Sequence, residues 1–294
     1  MPTYNFKQEA EVYVVSGGTT YRIHVTDISF SQTFSEESYS VSTIHSPNDL
    51  FEATVINKAN PANFSFSVPA IKENDYTILE TLLRSVDSFT LYIKTSADTF
   101  KLETAVITNG SFVIEKSRPL SIEIQGEASK LLRGQTFSST STVTPRNYTI
   151  PLTVDVTLNS SLLDCIVGVT IELQNSIEWT PYTTVGGAIA ATSASTSMYP
   201  SGFTISKKIL AGSITQYLTD SSTANTQQWD DNATLSITAG DGRTGSFFRG
   251  FSFGPATCSF TNRVTVGGVF LQNYDWRVVS NAASLTSILN YVTD

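Results

Sequence analysis

Short segments with alternating apolar and polar residues recur from one end of the chain to the other. Val12 and Val14 alternate with more polar neighbours, and residues 64–68 have the sequence Phe-Ser-Phe-Ser-Val. Alternation with a period of two is typical of β-strands that bury one face. The pattern predicts strands through most of the chain, including one long strand over residues 21–34.

Turn-forming residues separate these segments. Gly17 and Gly18 predict a tight turn after the first strand, and residues 95–98 predict another turn between two strands. Asn109-Gly110 is the residue pair most typical of a two-residue hairpin, so the sequence also predicts a hairpin turn at this position.

Two segments have helical rather than strand-like spacing. Apolar residues recur at intervals of three and four from Ile78 to Leu83, and Asp75 is suited to cap the start of a helix. A shorter helical patch is expected over residues 208–218. The predicted fold class is therefore all-β, with one short helix in each half.

The second half repeats the order of elements of the first half. Val154 and Val156 lie 142 positions after Val12 and Val14, and the other elements recur at offsets between 139 and 146. This regularity predicts two tandem domains related by internal duplication. The expected units are a first domain over residues 1–132, an exposed Ser/Thr-rich linker over 133–147 and a second domain over 148–294.

Each half also contains one long, polar, turn-rich segment at the same place in the repeat. These segments cover residues 44–63 and 186–202. Loops of this length are uncommon in compact domains and usually have a function. We expect both segments to make contacts between subunits.

The order of elements resembles that of bacteriophage tail-tube proteins. Antiparallel strands, a helix between the middle strands, a long loop before the helix and a closing strand carry the resemblance, once per half. In the first half the closing strand is residues 119–128, Pro-Leu-Ser-Ile-Glu-Ile-Gln-Gly-Glu-Ala. The second half departs from this pattern, because residues 264–269 have no acidic residue where the first half has Glu123.

The resemblance implies a β-sandwich or half-barrel in each half and a ring around a channel. Family members with one domain form hexameric rings, so a duplicated chain would reach the same arrangement as a homotrimer. Rings would stack into a tube through the long loops, and the candidate contact residues are Pro47, Asn48, Asp49, Asn60, Gly186, Gly187 and Ser195. The lumen-facing residues are expected to be Ser121, Glu123 and Gln125.

The leading hypothesis is a structural virion protein of the tail tube, without enzymatic activity or a cofactor. Its expected partners are further copies of itself and other tail proteins, such as sheath, tape measure, terminator or baseplate proteins. DNA would pass through the lumen without specific binding. The same fold also serves baseplate initiators and tail terminators, which stop at one ring and stay open as alternatives.

Composition and charge narrow the remaining classes of function. Hydrophobic residues form 40% of the chain and charged residues 15%, as in a well-packed globular protein. The net charge of −8 argues against electrostatic binding of nucleic acid. No basic stretch followed by an apolar run opens the sequence, so we expect assembly in the host cytoplasm and no membrane binding.

Residues suited to catalysis are scarce. His24 and His45 are the only two histidines, which leaves little material for a catalytic triad. Cys165 and Cys258 are expected to be small buried thiols without a disulfide bond.

A carbohydrate- or receptor-binding β-module is the alternative from a different class. Trp179, Trp229 and Trp276 could stack on sugars if they were exposed. They do not occupy equivalent positions of the repeat, and the apolar neighbours of Trp276 favour a place in the core.

Overall fold

A computed structural model describes most of the chain: residues 4, 6–40, 52–69, 76–115, 118, 120–139, 153–180, 198–219, 232–240, 250–279 and 289–292. In the first half the elements are a short 3-10 helix Lys7–Glu9, β1 Glu11–Ser16, β2 Thr19–Ile23, β3 Asp27–Ser31, β4 Phe34–Ser40, β5 Glu52–Ala59, β6 Ala62–Pro69, α1 Tyr76–Ser85, β7 Phe89–Lys94, β8 Thr99–Glu115, β9 Ser121–Ala128 and β10 Lys130–Leu132. In the second half they are β11 Thr153–Leu158, β12 Ser161–Leu162, β13 Ile166–Trp179, β14 Phe203–Tyr217, β15 Asn232–Gly240, β16 Gly250–Val266, β17 Phe270–Val278 and β18 Leu289–Val292.

One antiparallel sheet of 16 strands runs through both halves, and β4 and β5 form a separate two-stranded sheet. Neighbouring strands in the first half follow the order β2-β1-β7-β8-β9-β6-β3. Those in the second half follow β12-β11-β15-β16-β17-β14-β13. The two halves meet where β13 pairs with β8. The prediction of a mostly β fold is therefore confirmed.

The first hairpin of each half turns through the same backbone conformation. Gly17 and Gly18 have φ angles of 57° and 81°, and Asn159 and Ser160 have φ angles of 48° and 67°. Two successive residues with positive φ form the type I′ turn, whose twist matches that of the flanking strands. The turn predicted at Gly17-Gly18 is confirmed.

The long strands β8 and β16 each contain a bulge at the corresponding position, here called the shared bulge. The pairing register shifts after Phe89, where β7 pairs with β8, and after Leu235, where β15 pairs with β16. Thr104 and Gly254 lie among the extra residues and have positive φ angles of 50° and 86°. A bulge bends a strand and increases its twist, so each long strand can leave one partner and continue beside another.

Helix α1 packs on the apolar face of the sheet, against β8 and β18. Leu79, Leu82 and Leu83 of the helix are buried, and they belong to a single hydrophobic cluster that includes residues of both halves. Gly110 lets the helix approach β8 closely, because a Cβ at that position would lie 3.0 Å from Cδ1 of Leu83. This close contact explains the glycine and corrects the predicted turn at Asn109-Gly110, since both residues lie inside the single strand β8.

The second predicted helix is also wrong. Most of residues 208–218 lies in β14, where Leu210 and Ile214 are buried. Apolar residues four positions apart fit the period of a strand as well as that of a helix. Pairing with β13 on one edge and β17 on the other decides in favour of the strand. The described part of the chain contains one α-helix, α1.

Residues 21–34 do not form one strand either. The chain leaves β2 at Ile23, forms β3 from Asp27 and begins β4 only at Phe34. The breaks let β2 pair with β1 while β3 pairs with β6, far along the same sheet.

Some residues at the beginning of the predicted linker pack against the first half. Phe137 stacks on Tyr92 with ring centroids 4.2 Å apart, and its ring lies 5.0 Å from that of Tyr13. The backbone N–H of Gln135 donates to the carbonyl oxygen of Thr99 at 3.1 Å. Packing of the first half therefore continues past residue 132, and residues 140–147 lie outside the described part.

Replacing Gly126 by alanine should destabilise the fold. A Cβ at this position of β9 would collide with the ring of Phe64 and the carbonyl oxygen of Val106. Overpacking of this kind costs about 1–3 kcal/mol, so we expect urea denaturation to show a loss of about that size. Gly168→Ala is the matched control, because its Cβ would lie 3.8 Å from the nearest atom, the Ile114 carbonyl oxygen. Equal losses in the two variants would contradict this explanation.

Candidate assembly surfaces

One face of the sheet is polar and is formed in the first half by β3, β6, β8 and β9. On β9, Ile122 and Ile124 are buried, whereas Glu123 and Gln125 are exposed and Ser121 is half-buried. The structure thus places the three residues predicted to face a lumen together on the side of β9 that points away from the core.

Hydrogen bonds tie the polar side chains of this face to one another. Ser29 and Ser65 form a hydroxyl–hydroxyl hydrogen bond of 2.8 Å between β3 and β6. The hydroxyl of Thr108 donates to the carbonyl oxygen of Gln125 at 3.2 Å. A shallow depression of about 480 Å³ lies over these strands and includes Glu127 in its lining. The face is open and polar, which suits a surface that contacts solvent or a passing polymer.

The two halves are joined by backbone pairing between β8 and β13. The pairing extends over seven residue pairs, from Gln174 opposite Asn109 to Gly168 opposite Glu115. On the polar face, the side-chain amide of Asn109 donates to Glu172 at 2.9 Å. The polar face therefore continues from one half to the other without a gap.

On the apolar side, one buried polar residue links three elements at this junction. Asn175 of β13 is buried, and its amide donates to the carbonyl oxygens of Leu83 at 2.9 Å and Ile107 at 3.1 Å. Leu83 lies near the end of α1, where carbonyl groups lack helical partners. Ile107 lies beside a second bulge of β8, where the register with β9 shifts. Asn175 therefore supplies donors where regular structure supplies none.

Further contacts across the junction come from long side chains. The indole N–H of Trp179 donates to Glu127 at 2.6 Å. Arg84, at the end of α1, donates to the carbonyl oxygen of Leu289 in β18 at 2.8 Å. Lys208 donates to the carbonyl oxygen of Arg84 at 2.5 Å. The helix of the first half is thus fixed to two strands of the second half.

In the second half the polar face is formed by β13, β14, β16 and β17. Thr170 and Ser213 share a hydroxyl hydrogen bond of 2.8 Å, and the amide group of Asn273 joins two threonines, accepting at 2.9 Å from Thr215 and donating at 3.2 Å to Thr265. Acidic side chains outnumber basic ones at the charged positions of the whole face. The acidic residues include Asp27, Glu123, Glu127, Glu172 and Asp275, and the basic ones include Arg263 and Arg277.

The two predicted contact loops, residues 44–63 and 186–202, are only partly covered by the described residues. Most of residues 52–63 is strand, because β5 ends at Ala59 and β6 begins at Ala62. Asn60 lies in the connection between them, where its side-chain amide donates to the hydroxyl of Thr33 at 3.0 Å. The expectation of one continuous loop over 44–63 is therefore wrong for its second part. The other predicted contact residues lie outside the described part of the chain: Pro47, Asn48, Asp49, Gly186, Gly187 and Ser195.

The candidate tryptophans and cysteines divide between surface and core. Trp276 is buried against Phe253, with ring centroids 4.6 Å apart, as predicted. Cys258 is buried, and its burial raises the pKa of the thiol to about 12. Cys165, which was expected to be buried, is exposed and has a φ of 54°. Trp229 lies outside the described residues.

Candidate metal centres and membrane-spanning helices are both absent from the described residues. Among them no group of three or more His, Cys, Asp or Glu side chains is arranged to hold a metal ion. No helix in the same residues is both long and apolar enough to cross a membrane.

A long antiparallel sheet with one apolar face under a helix and one continuous polar face suits a structural assembly protein. The sequence profile of the Bacteriophage Baseplate Tube Protein Family matches residues 2–292, and the chain belongs to this family. It is therefore a structural component of the phage baseplate or tail and part of the virion, and the resemblance to phage tube proteins is confirmed. Among curated proteins, none matches the chain significantly.

Sequence reasoning did not identify the junction between the halves. Its signal is present in residues 169–175, where Val169, Ile171 and Leu173 occupy the apolar positions of an alternating strand and Asn175 occupies the next one. A polar residue in an apolar register is either exposed or provided with hydrogen-bond partners. The sequence alone does not say which strand it faces.

Replacing Asn175 by alanine should destabilise the junction. The change leaves the carbonyl oxygens of Leu83 and Ile107 without the amide that donates to both. A buried polar group without a partner costs about 1–3 kcal/mol, and we expect urea denaturation to show a loss of at least about that size. Gln174→Ala is the control on the exposed face of the same strand, and it should change the free energy of unfolding by less than about 0.5 kcal/mol. An Asn175→Ala variant as stable as this control would contradict the assignment.

The two thiols should differ in reactivity. The exposed Cys165 should react quickly with a thiol reagent in the native protein, whereas Cys258 stays protonated and buried. Titration with a chromogenic disulfide should count one reactive thiol per native chain and two after denaturation. Cys165→Ser should remove the native reaction, and rapid reaction of that variant would show that Cys258 is accessible.

Proposed function

We propose that three copies of this chain form a closed ring in the tube section of the phage baseplate. Each chain contributes two similar domains, so the ring has six domains around one channel. The observation that carries the proposal is the pairing of β13 with β8, through which the second half extends the sheet of the first in a head-to-tail manner. Head-to-tail contacts repeat into a ring when the rotation between units closes.

The proposal includes the predicted duplication, with units over residues 1–132 and 148–294 joined through 133–147. It is supported by the identical order of seven strands in each half. It is also supported by the type I′ turns at Gly17 and Asn159 and by the bulges that contain Thr104 and Gly254. Turns and bulges are positional features of a fold, and matching ones in the same order favour a common origin.

The channel would be lined by the polar face. Each chain supplies eight strands to this face, four from each half, so a trimer would present 24. Ser121, Glu123 and Gln125 then face the lumen, as expected from the alternation on β9. The excess of acidic groups would repel the phosphates of DNA and let it slide past without being held.

Family membership favours a position in the baseplate over the main tail tube. A baseplate ring has different proteins above and below it, so its stacking stops where a tube of identical rings would continue. Contacts with other baseplate and tail proteins would come from elements outside the main sheet. The separate β4–β5 sheet is one such element. The proposed contact residues for stacking are still Pro47, Asn48, Asp49, Asn60, Gly186, Gly187 and Ser195.

The ring should be visible in the purified protein. Mass photometry should give a species of three chains of 32.0 kDa each, and electron microscopy should show rings with six-fold-looking projections. Single rings or short stacks support the baseplate role, whereas tubes of unlimited length would indicate a major tube protein instead. A monomer at every concentration would contradict the ring. A reconstruction with Glu123 and Gln125 on the outside of the ring would contradict the lumen assignment.

A further inference from the structure

Several strand edges of the main sheet have no partner among the described residues, and two of these edges bear on assembly. One is the edge of β3 that faces away from β6. The other is the stretch Phe260–Val266 of β16, which pairs with β17 on one side only, because pairing with β15 ends at Ser259. Open strand edges bind other strands readily, and stable proteins cover them.

The two strands that carry these edges correspond in position to the two strands that form the internal junction. In the strand orders of the halves, β3 has the place of β13 and β16 has the place of β8. Within the chain, β13 covers the open edge of β8. Each chain therefore carries one junction already made and the two complementary parts of a second.

Burial differs between the edge of β8, which β13 covers, and the equivalent edge of β16, which no described strand covers. Ile114 of β8 lies opposite Val169 of β13 and is 2% exposed. Counting along the paired strands from the shared bulge, the position of Ile114 corresponds to Val264 of β16, which is 41% exposed. Val266 beyond it is 69% exposed. Val264 and Val266 are thus uncovered in the core-facing register, whereas Phe260 and Asn262 of the same stretch are buried.

The residue correspondence between the two halves also defines which residues of β3 and β16 would lie opposite each other in such a contact. Through the ladders β8–β9–β6–β3 and β16–β17–β14–β13, Ile28 corresponds to Ile171, which lies opposite Phe112 in the internal junction. Phe112 in turn corresponds to Asn262. Ile28 of one chain would therefore face Asn262 of the next, and Ser29 would face Thr261.

This register also pairs opposite charges. It places Asp27 opposite Arg263, and each side chain is 65% exposed in the isolated chain. A hydrogen bond from Lys7 lowers the pKa of Asp27, so the carboxylate is charged at neutral pH. Arg263 already contacts Asp275 at 3.1 Å on the neighbouring strand. Lys7, Asp27, Arg263 and Asp275 would then form alternating charges across the contact.

We propose that β3 of one chain pairs antiparallel with Phe260–Val266 of a second copy, with Ile28 opposite Asn262, and so continues the sheet from chain to chain. The inference rests on the proposed ring and adds the strands and the register that close it. The occupant is a second copy rather than another protein, because the chain itself shows the complementary strand seated on the equivalent edge.

Engineered cysteines test the register directly. In a Cys165→Ser background, Ser29→Cys and Thr261→Cys would lie directly opposite each other, with Cα atoms about 4.5–5.5 Å apart, a distance that a disulfide spans. Mild oxidation should give disulfide-linked dimers and trimers on a non-reducing gel. Ser29→Cys with Thr265→Cys is the matched control, because four residues of displacement separate the Cα atoms by about 13 Å, too far for a bridge.

The outcomes separate this inference from the proposed function. Linked trimers from the first pair and none from the control support both. Rings in electron microscopy, with no crosslink from the first pair or with an equal crosslink from the control, would overturn the register and leave the ring intact. Monomers without rings or crosslinks would overturn both.

A charge exchange provides a second test that does not depend on cysteine. Arg263→Glu should raise the concentration needed for half-maximal assembly by at least about tenfold, because it places a carboxylate opposite Asp27. Adding Asp27→Lys should restore most of the loss. Arg277→Glu is the matched control on the neighbouring strand and should assemble as the unmodified chain does. Equal effects of Arg263→Glu and Arg277→Glu, without rescue, would contradict the proposed pair.

Discussion

The backbone pairing of β8 with β13 is the contact on which the rest of the structure depends. It joins two sets of strands into one sheet and brings the apolar faces of both halves into one cluster. It also aligns the polar sides of the two halves, since Glu172 meets Asn109 across the same ladder. Without it, β8 would have an open edge beside apolar residues such as Ile114, which lies opposite Val169 of β13 and is buried.

The strand content and several turns were predictable because they depend on local patterns. Alternation over residues 64–68 and the turn at Gly17-Gly18 need no knowledge of distant residues, and both appear as expected. The second helix was predicted wrongly because Leu210 and Ile214 fit two periods at once. Asn109-Gly110 was misleading for a different reason, since its glycine makes room for Leu83 of the helix rather than for a turn.

The candidate surfaces were predictable only in part. The polar side of β9 follows from the alternation of Glu123 and Gln125 with two isoleucines. The junction does not, because the chain gives no local sign that residues 109–115 pair with residues more than fifty positions later. Asn175 was the one visible anomaly, and its meaning depends on two carbonyl groups that only the folded chain brings to it.

The order in which the strands are synthesised gives the β8–β13 contact a further consequence. All partners of β8 from the first half are made by residue 132, but β13 is complete in its pairing region only at Gln174. At a synthesis rate of about 5–20 residues per second, the edge of β8 waits roughly 2–8 seconds for its partner. During that interval the edge of β8 is unpaired, and neighbouring nascent chains on the same polysome expose the same unpaired edge. Slow synthesis of residues 133–174 would lengthen the time in which this edge of β8 can pair with a strand of another chain.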